Sequence, residues 1–211
     1  PNLVYALNRV ESEIIANYLN DNQCSQEAQG FALPAIDAIV EGLNSDVEII
    51  LYVIENEQNY RDDMSSDELA FFDTLSTNQQ LGYLVSAEEA KRISNELFET
   101  FCERYNGKGD AFRHAYWNIL SSIRIGVYLT SELTTRHENI SFQYAFHGKE
   151  VEMDLYNNNI GRSFVENGID NLLLARQTIQ TAFDNGDLRY LNNQDGSCRA
   201  TFSSVLTPTN E

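Results

Sequence analysis

Asp110, His114 and Asn118 recur every fourth residue in the run Gly107-Lys108-Gly109-Asp110-Ala111-Phe112-Arg113-His114-Ala115-Tyr116-Trp117-Asn118, set among the large aromatic residues Phe112, Tyr116 and Trp117. Residues four apart share a helix face. The spacing therefore predicts a helix beginning near Asp110, with one polar stripe and with Phe112, Tyr116, Ile119, Leu120 and Ile123 on the adjoining faces. A purely solvated face is written mostly in Lys and Glu. Asp, His and Asn beside the only tryptophan of the chain belong to a different kind of helix. A second stripe follows, because Glu150, Asp154, Asn158 and Arg162 fall at successive steps of four. Between the two stripes lies Arg136-His137-Glu138. All three histidines, His114, His137 and His147, sit within this one span.

The rest of the chain also reads with helical period. Leu3, Leu7, Val10, Ile14 and Tyr18 predict an opening helix, and Phe31 to Leu43 a second with Pro34 in its first turns. Val47, Ile50, Leu51 and Ile54 predict a third. Ser65 with Glu68, and Ser86 with Glu89, have capping-box spacing and are each read as opening a helix. A last helix from about Ile169 to Phe183 stops at Asn185-Gly186. Arg189 to Asn192 and Arg199 to Leu206, divided by a turn-rich Asp-Gly break, can form a short hairpin. The expected fold is mainly α, a compact multi-helix domain with a short C-terminal β-hairpin. The polar stretch from Asn56 to Ser66 is the best boundary between an N-terminal helical region, 1–60, and a motif-bearing domain, 61–211. A solvated loop inside one domain, 1–211, fits it equally well.

A net charge of −18 leaves no basic footprint for coating nucleic acid. It does not exclude local cleavage of nucleic acid, or an attack on a lipid headgroup assisted by a metal. Cys24, Cys102 and Cys198 lack the spacing of a thiolate zinc site. Their default role is as small buried hydrophobes, and their odd number allows at most one internal bridge. No apolar run approaches the roughly eighteen residues of a membrane span. Because the chain begins at Pro1, a leader removed from an exported protein would be invisible in it.

Three motifs in order, GKGDAFRHAYWN, then His137-Glu138, then MDLYNNNIGR from Met153 to Arg162, resemble a family of bacterial domains of unknown function, DUF6973. The resemblance covers roughly the C-terminal half of the chain. Ile119 and Thr135-Arg136 depart from the family pattern without touching either stripe. The family is similar to domains of secreted, surface or polymorphic-toxin-like proteins. The resemblance implies a secreted, periplasmic or cell-surface location and no established reaction.

Two chemistries suit these residues. In the first, Asp110, His114, His137 and Asp154 hold a divalent metal such as zinc, and Glu138 takes a proton from water. No HExxH, HD or HxH signature accompanies them. In the second, His114 is a general base oriented by Asp110, Asp154 or Glu138, and Lys108, Arg113 and Arg162 steady an anionic substrate. Gly107-Lys108-Gly109 before a helix can also cradle a phosphate, although such a run is more often a loop. Against both stands a buried polar network in which Asp110 caps its helix, His114 bonds Asp154, Arg162 pairs with Glu138 or Glu150, and Trp117 packs in the core. His147, before Gly148, reads as an exposed loop residue. Arg113 points about a hundred degrees from His114 on an ideal helix, toward a separate salt bridge.

The expected function is a hydrolase of a phosphoester or lipid ester. Its catalytic residues would be His114, His137, Glu138 and Asp154, with Lys108, Arg113, Asn118, Asn158 and Arg162 toward substrate. The alternatives are an extracellular binding or structural module, and a toxin-like effector with an immunity or carrier partner.

Overall fold

The computed structural model describes residues 47–139 and 146–211. The chain divides into two compact units, Pro1–Glu48 and Ile49–Glu211. Only residues 47 and 48 of the first are described, so the two helices expected before residue 44, and Cys24, lie outside the described residues.

The second unit is mainly helical. After a helical stretch at its start, with Ile49 and Val53 in the core, it runs α1 (Glu57–Asp63), α2 (Ser66–Phe72), α3 (Thr77–Leu97), α4 (Phe101–Arg104), α5 (Lys108–Ile125), α6 (Val127–His137), α7 (His147–Glu166), α8 (Leu172–Asn185), β1 (Arg189–Leu191) and β2 (Leu206–Pro208). Helix α5 is the centre. It packs chiefly on α7 and α3, and also on α6 and α8. One side carries Phe112, Tyr116, Ile119 and Leu120 into the apolar core with Phe72, Tyr83 and Leu133. The other side meets α7 through small residues. A Cβ on Gly161 would lie 2.1 Å from the carbonyl oxygen of Ala115, so the two backbones approach as closely as a missing side chain allows.

Several local expectations are corrected. The stretch 56–66 is not a plain loop. It contains α1, supported by hydrogen bonds at a spacing of four between Gln58 and Asp62 and between Arg61 and Glu57. Ser86 opens no helix, since it lies inside α3 and donates to the Gly82 carbonyl. Ser76 with Gln79 forms the capping box that starts α3. Ser65 does cap α2, accepting from the Glu68 amide, while the Glu68 carboxylate turns away to Tyr83 and His137. Helix α8 ends where Gly186 takes a left-handed φ of 76°.

The two strands pair antiparallel, Arg189 opposite Pro208. The second strand begins where the expected run ended. Residues before it fold into turns because Asp195 Oδ1 accepts from the amides of Ser197 and Arg199, and because Thr201 and Ser204 both donate to the Asn193 carbonyl.

Cys102 and Cys198 are not isolated thiols. They form a disulfide across a sequence separation of 96, tying α4 to the turn before β2. Closing so long a loop restricts the unfolded chain by about 4 kcal/mol. Reduction, or joint Cys102→Ser and Cys198→Ser substitution, is expected to lower the melting temperature by roughly 10 °C. An unchanged melting curve under strong reductant would show that the bridge contributes nothing.

Candidate functional site

The two stripes face each other. Asp110, His114 and Asn118 on α5 meet Asp154, Asn158 and Arg162 on α7, and Glu138 closes the end of α6 over them. Helix α5 starts at Lys108, two residues before Asp110, so Asp110 sits in the first turn. There its Oδ2 accepts from the Asn106 amide at 2.7 Å, an end-of-helix role of the kind expected of it.

His114 is the hub. Its Nδ1 lies 3.2 Å from Asn158 Oδ1 and 3.5 Å from Glu138 Oε1. Its Nε2 lies 2.7 Å from Arg113 Nη2, 3.3 Å from Asp154 Oδ1 and 3.6 Å from Asp110 Oδ1. A guanidinium only donates, so Nε2 accepts and the proton is assigned to Nδ1, facing oxygens. Burial, then the Arg113 charge, holds the His114 pKa down at about 4. The imidazole is therefore neutral near pH 7. Burial also opposes ionisation of Asp110, but Arg113, His114 and the Asn106 amide outweigh it and set that carboxyl below its ordinary range. Asp154 goes the other way. Burial, reinforced by the charges of Glu138 and Asp110, drives its carboxyl well above the usual range, and its Oδ1 has no hydrogen-bond partner among the described residues.

Around the hub the side-chain amides of Asn118 and Asn158 bond into one network. Asn118 Nδ2 donates to the His114 carbonyl and to Asn158 Oδ1, and its Oδ1 accepts from Thr134 and Arg162. Asn158 Nδ2 donates to Glu138 Oε1 at 3.1 Å. Arg162 does not pair with Glu138 or Glu150. It donates to Asn118 and Thr134 from a buried position. Asn118, Asn158 and Arg162 thus build the wall of the site by bonding one another.

One group of potential metal ligands stands out among the described residues. Single atoms of Asp110, His114 and Asp154 all lie within 4.8 Å of one another. His137, expected as a fourth ligand, is not in it. Its Nδ1 is 2.9 Å from Glu68 Oε2, and its ring stands edge-on to Trp117. Glu68, invisible as a site residue from the sequence, is buried and also accepts from Tyr83. Nothing in the chain advertises a partner 69 residues from His137.

A family model described as Domain of unknown function (DUF6973) matches residues 76–186, more than half of the chain. The chain belongs to this family. No curated protein and no solved structure matches it. The DUF6973 stretch holds all three clustered ligand residues together with His137 and Glu138. Glu68 and Cys198 lie outside it.

Other expectations within the DUF6973 stretch shift. Lys108 points away from the stripes, donating to the Glu211 carbonyl and lying over the Tyr190 ring. A phosphate cradle does not explain its glycines. A Cβ on Gly107 would meet the Cys102 carbonyl at 2.2 Å, and one on Gly109 would meet Phe98 at 2.8 Å. Arg113 is not diverted from His114, because its long side chain curls back to bond both Asp110 and His114. His147 is no exposed loop residue. It opens α7, and its Nδ1 lies 3.2 Å from the buried Glu150. Of the three consecutive asparagines, Asn157 holds β1 through the Arg189 backbone, Asn158 enters the site and Asn159 is exposed.

Proposed function

We propose that Asp110, His114 and Asp154 form a divalent-metal site in a hydrolase acting on a phosphoester or carboxylic ester. The observation that carries this reading is the convergence of three ligand atoms around an unpartnered carboxylate oxygen of Asp154. The donor set, one imidazole nitrogen and two carboxylates, suits zinc or manganese with positions left for water and substrate. A metal ligand must be neutral imidazole, and His114 is neutral down to about pH 4. The same property makes it a weak general base. Glu138 and Asn158 behind Nδ1 are the partners that fix a ligating tautomer. A cation bound there would supply a Lewis acid for a phosphoryl or acyl oxygen and ease ionisation of a water.

Arg113 contacts two of the three ligand residues from the side a cation would use. It has to give way when metal enters, and 30% exposure of its side chain leaves it a path to do so. The Cys102–Cys198 bridge favours an oxidising compartment, and so an exported protein. A second reading, a purely structural polar network, is favoured by the complete pairing of Asn118 with Asn158, Thr134 and Arg162.

Metal content of protein purified without chelator, read by mass spectrometry, separates the two. One zinc or manganese per chain is expected, lost in His114→Ala and kept in His137→Ala. Turnover of a chromogenic phosphoester or ester should fall at least about a hundredfold with the metal. Protein that takes up no divalent ion even on titration would overturn the metal reading in favour of the network.

A further inference from the structure

Beside the ligand cluster, a cavity of about 370 Å³ opens between α1, α2, α3 and α5. Pockets of this size commonly hold small organic molecules. Its apolar wall comes from Met64, Leu84 and Trp117. Lys91, Arg104 and Arg113 also border it. The chain has only 14 basic residues against 32 acidic ones, so three cations on one cavity form a local reversal of an acidic surface. Lys91 makes no ion pair among the described residues, and Arg104 is bonded only to the neutral Asn95. Two carboxylates, Asp63 and Glu68, share the lining. Glu68 is already engaged by Tyr83 and His137. Trp117 is almost fully buried, yet its indole N–H has no acceptor among the described residues. That N–H is enclosed by protein, so what Trp117 offers the cavity is apolar ring surface.

We propose that this cavity binds an anionic amphiphile, its charged head among Lys91, Arg104 and Arg113 and its aliphatic chain along Met64, Leu84 and Trp117. The proposal deepens the hydrolase reading and rests on it for the role of the ligand as substrate. Arg113 links the two places, since it borders the cavity and also bonds Asp110 and His114. A head group that draws the guanidinium into the cavity uncovers the ligand cluster, and a cation in the cluster repels Arg113 toward the head group. Metal and amphiphile therefore bind with positive coupling.

Trp117 is the only tryptophan, so its fluorescence reports from the cavity wall. Metal-free protein held in chelator is titrated with octyl phosphate, and with octanoate, octanol and inorganic phosphate in parallel. A saturable change with octyl phosphate is expected, at least about tenfold weaker in Lys91→Gln and in Arg113→Gln, and much weaker for octanol or inorganic phosphate alone. Lys91 is exposed, so its variant tests the head-group contact without threatening the fold. Octanoate binding as tightly as octyl phosphate extends the site to carboxylate heads, and weaker binding assigns it to phosphate. No saturation, equal binding of octanol, or undiminished binding in both variants would overturn the proposal. Saturation in a protein that never takes up metal would keep the cavity site and remove the metal reading. Metal uptake without saturation would do the reverse.

Discussion

A Gly161→Ala protein is expected to unfold about 3 kcal/mol more readily than its parent and to lose most of its affinity for divalent metal. The added carbon would lie 2.1 Å from the Ala115 carbonyl oxygen and 2.9 Å from Asn118 Cβ. Both obstacles belong to the central helix, whose backbone cannot turn aside as a flexible side chain would. Overpacking of this kind typically costs about 1–3 kcal/mol, and more where backbone must move. Relief requires α7 to back away from α5. That separates Asp154 from Asp110 and His114 and stretches the bonds of Asn118 to Asn158 and Arg162. Gly196→Ala is the control, because a Cβ there meets nothing within 4 Å. Denaturant unfolding and metal titration read both consequences. A Gly161→Ala protein as stable as Gly196→Ala would show that the two helices tolerate a wider separation.

Asp154→Asn is expected to do the opposite to the fold, raising the stability of the metal-free protein at pH 8 by about 1–2 kcal/mol while lowering metal affinity at least about a hundredfold. Asp154 titrates near 3.8 when unfolded and well above that when folded, because burial and then Glu138 and Asp110 oppose its charge. The folded state thus keeps a proton that the unfolded state has released. Its stability falls as pH rises through the folded value. His114 contributes the reverse between about 4 and 6.5, where the unfolded imidazole takes a proton that the folded one refuses. In that window the two act in opposite directions. Above about 6.5 His114 no longer contributes. His137 acts with the same sign as Asp154, because its bond to Glu68 and the charges of Glu68 and Glu138 outweigh burial and raise its pKa. The parent should lose stability from pH 6.5 upward through His137, and over the range in which Asp154 titrates Asp154→Asn should lose less. A variant no more stable than the parent at pH 8, with unchanged metal uptake, would contradict both halves of the argument.

Much of this site was legible because helices write their faces at a fixed interval. Two stripes at spacings of four, each bounded by large apolar residues, placed Asp110, His114, Asn118, Asp154, Asn158 and Arg162 on helix faces that the fold turns toward each other. What periodicity does not encode is reach and partnership across the chain. Arg113 has its Cβ well away from the His114 direction, yet a long side chain cancels that angle. Glu68 looked like a capping residue, and half of that reading holds, since Ser65 caps its amide. The destination of its carboxylate depends on where α6 and α3 pack. Ser86 and Glu89 had the spacing of a capping box without its position, because serine inside a helix can bond back to the preceding turn. The Cys102–Cys198 pairing was one of several the thiols allowed, and only the docking of the C-terminal turns on α4 selects it.

The bridge also sets a topology. Cys102 and Cys198 bracket every ligand, wall and hub residue of the site, from Asp110 to Arg162. These residues occupy a covalently closed ring, while Lys91 of the cavity and the Glu68 that braces His137 stand outside it. A protease that cuts the ring once produces two pieces that stay joined through sulfur, so α5 and α7 can re-dock without having to find each other by diffusion. Such a ring keeps the parts of the site together after the chain itself has been broken.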